Sequence, residues 1–368
     1  MKLKRVAGFG AVVVVLAVIA FAIAWWRSDN ECSNPVAKPV HPMKAVTYCD
    51  YGSADKLRYG DVEKPVPADD EVLVRVLAAA ANPLDWHYMR GTPYLMRMGT
   101  GLRRPEVTRL GVDFAGTVEA VGKGVTRFKP GDEVFGGRTG AFAEYVAVKQ
   151  DRAIVAKPAN LSFEQAAAVP IAAITALQGL RDGGKLQAGQ TVLINGASGG
   201  VGTFAVQIAR SMGAKVTGVC STRNVELVRS LGADQVIDYK TTDYTQGGQQ
   251  YDVILDNVGN RSLAENRRAL KPDGHYVLIG GGGPDNGRWI GPMIKPVGAM
   301  VTSWFVPQDM GMVLAELNQK DLAVLAGLMA AGKVTPVIDR RYPLAELPEA
   351  IRYLETGRAR GKVIITVQ

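Results

Sequence analysis

An apolar, β-forming run, Thr191-Val-Leu-Ile-Asn195, passes directly into Gly196-Ala-Ser-Gly-Gly-Val-Gly202 and on into an amphipathic stretch, Val201 to Met212, closed by Gly213. Buried strand, glycine turn and helix in that order make the first unit of a parallel βαβ layer, which commits this part of the chain to an α/β architecture. Glycines let the backbone turn tightly and approach an anion, and the free N–H groups at the helix start meet its charge. Ala197, Ser198, Gly199, Gly200, Val201 and Gly202 are therefore expected to cradle the diphosphate of a dinucleotide. The frame is not the common G-x-G-x-x-G, because Ala197 stands in its first position. Taken alone, the loop reads equally well as a structural turn; its strand and helix flanks favour the dinucleotide.

The same rhythm continues with a strand over Lys215 to Cys220, a helix to Leu231 backed by Gly232, and strands over Gln235 to Asp238, Tyr251 to Asn257 and His275 to Ile279. The second strand ends in Val219-Cys-Ser-Thr-Arg-Asn224, without the Asp or Glu that would bind the adenosine ribose of NAD. Ser221 and Thr222 offer hydroxyls, and Arg223 offers a planar cation suited to a 2′-phosphate, so NADP(H) is expected rather than NAD(H). A plain turn with a helix cap is the alternative. Asp256-Asn-Val-Gly259 and Ile279-Gly-Gly-Gly-Gly283 end later strands at the carboxyl edge where such sheets bind ligands. Asn257, Val258, Gly280 and Gly281 are accordingly expected along the cofactor.

Before this region, from Met43 to about Ala168, short alternating strands such as Glu71 to Leu77 and Ala141 to Val148 predict an antiparallel β-domain. After it, a helix near Asp321 to Ala331 leads to a last strand, Gly361 to Val367. Val6 to Trp26 carries no charge and is long enough to span a bilayer as a helix. Lys2, Lys4 and Arg5 precede it, and Trp25, Trp26 and Arg27 close it. A cleaved signal peptide is the competing interpretation, given Ala22-Ile-Ala24, but the run is longer than an ordinary signal core. The expected order is a membrane anchor at 1–27, a linker at 28–42, a β-domain at 43–168, a dinucleotide domain at 169–310 and a returning segment at 311–368. Net charge is +8, with no arginine-rich run or basic-aromatic stripe, so nucleic acid is not an expected partner. Cys32, Cys49 and Cys220 are far apart in sequence and are expected to be plain thiols, neither a disulfide framework nor a metal cluster.

Gly111-Val-Asp-Phe-Ala-Gly-Thr-Val-Glu-Ala-Val-Gly122, Phe128-Lys-Pro-Gly-Asp-Glu-Val-Phe-Gly136, Ala166-Ala-Ala-Val-Pro170 and the glycine loop together resemble the medium-chain dehydrogenase/reductase superfamily, in its zinc-independent quinone oxidoreductase branch. In style the chain is similar to chloroplast-envelope quinone oxidoreductase homologues and reticulon-interacting mitochondrial oxidoreductases. The resemblance implies a GroES-like catalytic domain interrupted by a Rossmann domain, a doubly wound parallel sheet, with the active site between them. It implies that Asn82 faces the nicotinamide ribose and substrate, that Thr175 lies near the nicotinamide, Tyr239 near the 2′-phosphate and Lys362 near the cofactor. Tyr88, Tyr94, Trp304 and Phe305 become pocket candidates, and Gly298 to Phe305 an exposed edge strand through which a homodimer forms.

The zinc alcohol dehydrogenases of this superfamily hold a metal with Cys and His ligands. Here Asn82-Pro-Leu-Asp85 stands where the first cysteine would fall, the structural-zinc cysteines are missing, and His87 and His275 are isolated. No metal is expected. Without a Lewis acid to stabilise an alkoxide, hydride transfer from NADPH to an already electrophilic quinone or α,β-unsaturated carbonyl is the expected chemistry. A membrane-tethered NADPH-binding interaction protein with little turnover is the alternative, and a zinc alcohol dehydrogenase the third. The basic residues before the apolar run favour an external enzyme, whereas cofactor supply favours the cytoplasm; a cytoplasmic enzyme domain on a single-pass anchor is the expectation.

Overall fold

The structure, a computed structural model, describes residues 38–280, 289 and 291–367 together with Ala22, Trp25 and Cys32, and only the backbone of 291–293. The expected anchor therefore lies outside the described residues except at Ala22 and Trp25, and Gly281 lies outside them too. Among the described residues no helix is long and apolar enough to cross a membrane.

Strands β1 (Pro42–Thr47) and β2 (Arg58–Glu63) form an antiparallel pair. β3 (Glu71–Ala81) runs into helix α1 (Pro83–Arg90), followed by the short helix α2 (Arg97–Thr100). Next come β4 (Asp113–Val121), β5 (Glu133–Gly137), β6 (Tyr145–Lys149), β7 (Ile154–Ala156) and helices α3 (Phe163–Ala167) and α4 (Pro170–Gln178). β3 ends in four buried alanines, whose small side chains let α3, with its own buried Ala166 and Ala167, lie close against the strand.

The second layer is built from β8 (Thr191–Asn195), α5 (Gly200–Ser211), β9 (Lys215–Cys220), α6 (Val225–Ser230), β10 (Gln235–Asp238), β11 (Tyr251–Asp256), α7 (Leu263–Arg268), β12 (Leu270–Leu278), α8 (Gly291–Ser303) and β13 (Asp309–Met312). Its strands lie in the order β10-β9-β8-β11-β12-β13, all parallel. Helices on both faces explain why Val192, Leu193 and Ile194 are all apolar and fully buried, where an alternating strand would be half polar. Each such side chain contributes about 1.5–3 kcal/mol.

After α9 (Gln319–Ala330), the chain makes β14 (Ile338–Pro343), α10 (Leu347–Glu355) and β15 (Lys362–Thr366). β15 pairs antiparallel with β3, completing the sheet β14-β15-β3-β4-β5-β7 with β6 also on β3. The C-terminal strand thus belongs to the first β-sheet and passes beside the glycine loop on its way there.

Two expectations are corrected. Gly298 to Phe305 is not an edge strand: most of it lies in α8, and the edge strand is β13. β12 and β13 run parallel, so the chain must cross over between them, and a helix is how such crossovers are made. Cys32 and Cys49 are not plain thiols either, but form a disulfide with Cα atoms 5.7 Å apart. Seventeen residues of sequence separation leave ample chain for the two cysteines to meet at disulfide distance. Cys220 is the free, buried thiol.

Candidate active site

β8 delivers Asn195 to the sheet edge, and Gly196, at φ +79°, turns the chain. The amides of Gly196 and Ala197 both donate to the Val219 carbonyl of β9, at 3.1 and 3.0 Å, which pins the turn to the neighbouring strand. Gly199 caps α5 in extended backbone without a side-chain cap, so the first-turn amides of Gly200 to Gly202 have no partner within the helix. A Cβ on Gly202 would lie 2.1 Å from the Gly196 carbonyl oxygen, so only glycine fits there. Ser198 is almost buried, and its Oγ accepts from Asn224 Nδ2 at 2.8 Å. The remaining oxygens of Asn224 and of Asn257 are buried without a partner. Side-chain acceptors left open beside a glycine cradle fit a ligand that brings both an anion and N–H or O–H donors, as a nicotinamide dinucleotide does.

At the far edge of the loop, Ser221 is nearly buried, and Thr222 Oγ1 donates to Asp238 at 2.5 Å. That hydroxyl is already committed, which leaves charge at this edge to Arg223. Arg223 Nη2 donates to the carbonyl of Arg358 at 2.9 Å, which ties this edge to the turn before β15. Tyr239 follows β10, half exposed, its amide donating to Cys220.

Beside the loop, where β15 returns to the first β-sheet, stands a buried polar hub. Lys362 Nζ, 2% exposed, donates to Asn82 Oδ1 and to Asp113 Oδ2, the latter at 3.2 Å. Asn82 Nδ2 donates to Asp113 Oδ2 at 3.0 Å and to the Ala80 carbonyl at 3.1 Å, and Asp113 Oδ1 accepts the Ile171 amide at 2.9 Å. Asp85, three residues after Asn82, accepts the Asn82 amide at 2.7 Å and the Gly111 amide at 3.0 Å. Burial raises the Asp113 carboxyl above the ordinary range against the pull of Lys362, and burial pushes Asp85 up to about 7 despite its two amide donors. The backbone around Lys362 also reaches the cofactor loop: Gly361 N donates to the Ser198 carbonyl at 3.0 Å, and a Cβ on Gly200 would lie 3.3 Å from Lys362 Cδ. One lysine therefore joins the first β-sheet to the dinucleotide cradle.

The hub changes the role expected of Asn82. Its side chain is 4% exposed and both amide hydrogens are used inside the protein, so it holds the hub together instead of presenting a donor to substrate. Thr175 is buried in α4, and its hydroxyl donates to the Ile171 carbonyl at 2.6 Å, leaving only its lone pairs to offer. Tyr88 lines a small cavity with Tyr48, Asp85, Leu110 and Thr139. Tyr94 precedes α2 and meets Trp289 edge-on at 5.3 Å. Trp304 and Phe305, expected in a pocket, sit just past α8 and are 73% and 80% exposed. Asn257 donates to the Asn195 carbonyl at 2.9 Å, Val258 is part-exposed, and Gly280 lies against the Asn257 carbonyl. Residues not anticipated were Asp85, Asp113, Asn224 and Arg358. Asp85 had a legible signal, since an acid three residues after an Asn that precedes Pro is a capping box, and the box is present.

The family described as alcohol dehydrogenase GroES-like domain matches residues 68–159, and the one described as zinc-binding dehydrogenase matches residues 231–365. A 2-methylene-furan-3-one reductase of Solanum lycopersicum is 36% identical over 352 residues, which take in 91% of this chain and 81% of that protein. A chloroplast envelope quinone oxidoreductase homolog of Arabidopsis thaliana is 34% identical over 341 residues, 88% of this chain and 98% of that one. The structure of the quinone oxidoreductase from Coxiella burnetii superposes with a TM-score of 0.78 at 29% identity, covering 89% of this chain and all of that one. Two packed domains that meet at a glycine loop, together with these relatives, define an oxidoreductase. The chain belongs to the medium-chain dehydrogenase/reductase superfamily, and its cofactor is NADP(H).

Proposed function

We propose that the protein reduces an electron-poor acceptor, a quinone or an α,β-unsaturated carbonyl, without a metal. The observation that carries this is the hub: where a metal-dependent relative would gather Cys and His, this chain gathers Lys362, Asn82 and Asp113, whose polar atoms are satisfied by one another. Among the described residues no three His, Cys, Asp or Glu side chains are grouped as a metal site requires. NADPH, when bound, supplies hydride. The amides of Ser198 to Gly202 would hold its diphosphate, Arg223 would meet its 2′-phosphate, and Asn257 and Thr175 would offer acceptors to its amide and hydroxyl groups. Lys362 fixes the loop relative to the first β-sheet, so the acceptor and the cofactor meet in one geometry. Relatives named for reduction of 2-methylene-furan-3-one and of alkenals support a conjugated carbonyl as acceptor.

The chain is further read as membrane-anchored through Val6 to Trp26. The Cys32–Cys49 bond belongs to an oxidising compartment, and with the basic residues ahead of the apolar run it turns the reading away from a cytoplasmic enzyme domain. Protease added to intact cells digests the enzyme domain in that orientation and spares it in the other. For the activity, the full chain in lipid nanodiscs is assayed by steady NADPH consumption against enones, quinones and simple alcohols, with and without chelator. Turnover of the first two classes, unmoved by chelator, is expected; bound NADPH with no turnover on any acceptor would favour an interaction protein instead.

A further inference from the structure

We infer that the apolar face of α8, with the segment around Met98, lies on the lipid surface and brings the candidate site to the bilayer. The inference rests on the anchor reading above and adds to it an orientation and an acceptor class. Helix α8 is inverted relative to an ordinary surface helix: it buries the small Pro296 and Ala299 and exposes Ile294, Val297, Met300 and Val301 at helical spacing, continuing into Trp304 and Phe305. A contiguous apolar patch of this kind marks an interaction surface, and Trp and Phe beside aliphatic residues suit the lipid interface.

What selects a lipid surface over a second copy is where the chain leaves the domain. Without the disulfide, β1 begins sixteen residues after Trp26, a reach of up to about 58 Å; bonded to Cys49, Cys32 stands only six residues after Trp26, a reach of at most about 22 Å. The surface around Cys49 is thereby held against the membrane. From that surface a chain of contacts leads toward the start of α8: Tyr51 OH donates to the carbonyls of Thr100 and Gly101, the Arg97 guanidinium lies over the rings of both Tyr51 and Tyr94, and Tyr94 meets Trp289, two residues before α8 and 75% exposed. Met98, 76% exposed, belongs to the same strip. A lipophilic quinone or enone then enters from the bilayer without crossing water.

The native cysteines leave the surface free for labelling, since two are bonded and Cys220 is buried. Phe305→Cys in the full chain, loaded with NADPH in nanodiscs, carries an environment-sensitive fluorophore; Val66→Cys is the control, on the loop entering the opposite end of β3, roughly 35 Å of strand away from Asn82. Quenching by spin-labelled lipid is expected to be several-fold stronger at 305 than at 66, and to fall when Cys32→Ser together with Cys49→Ser removes the bond and lengthens the tether. Equal, weak quenching at both sites in nanodisc-bound protein overturns the docking while leaving the anchor intact. A shielded but unquenched label at 305 overturns it in favour of a second copy. Protein that does not enter nanodiscs removes the anchor and the docking together. Trp304→Ser with Phe305→Ser is expected to lower turnover of a long-tailed quinone several-fold and to leave a short, water-soluble enone unchanged; equal effects on both contradict bilayer delivery.

Discussion

The two walls of the cleft are built on opposite principles. The dinucleotide wall is open: a loop of glycines with helix amides facing outward and two buried asparagine oxygens left without partners. The opposing wall is closed, with Asn82, Asp113 and Lys362 consuming one another's hydrogen bonds. An unsatisfied buried polar atom costs about 1–3 kcal/mol and is tolerated where a ligand will satisfy it, whereas a saturated network holds a shape. On the function proposed above, the first wall binds and the second positions.

If that contrast holds, the largest effect belongs to the open wall. Gly202→Ala places a methyl 2.1 Å from the Gly196 carbonyl and is expected to weaken NADPH binding by calorimetry about 100-fold or more, ~2.7 kcal/mol, with circular dichroism unchanged. Lys362→Met strips the cation from a fully buried carboxyl and should cost about 3 kcal/mol in denaturant unfolding, with Lys362→Arg failing to restore it in so tight a site. Stability loss without any change in kcat among the folded molecules would show that the hub does not position the cofactor. Arg223→Ala is expected to raise the Kd for NADPH about tenfold, ~1.4 kcal/mol, and to leave NADH unchanged; equal losses for both would remove the 2′-phosphate contact.

The smallest effect sharpens the closed wall. Asp85 titrates higher folded, at about 7, than unfolded, so the native state holds the extra proton through the interval between. Its contribution is fully present below about pH 4 and is lost as pH rises through 7. The wild type is therefore expected to lose stability from pH 5 to pH 8 relative to Asp85→Asn, followed as the difference in Tm. A pH-independent difference would mean that Asp85 stays ionised on its two amide donors.

The contrast also explains what the sequence disclosed. β8 matches its expected bounds because a strand covered on both faces is a continuous apolar run, while β9 and β10 match theirs because Gly213 and Gly232 punctuate the chain shortly before them. The open wall was legible for the same reason: its chemistry is backbone chemistry, signalled by glycine spacing. The closed wall was not, since Lys362 and Asn82 are 280 residues apart and meet only because β15 returns to β3. Asp113 sat inside a quoted motif, but nothing local says which lysine it meets. Gly298 to Phe305 misled because apolar density without clear alternation is shared by buried strands and by helices that expose an apolar face. The disulfide was hidden by counting sequence distance where the linker's return sets the spatial one.

Deuterium tracing reads the central claim most directly. The full chain in nanodiscs is given NADPH deuterated at the transferring C4 position and an enone, and the product is examined by NMR. Hydride transfer to a conjugated acceptor predicts one deuterium at the β-carbon of a saturated ketone, with the α-proton drawn from solvent. Deuterium on the carbonyl carbon of an allylic alcohol, or NADPH bound and no labelled product, would contradict it.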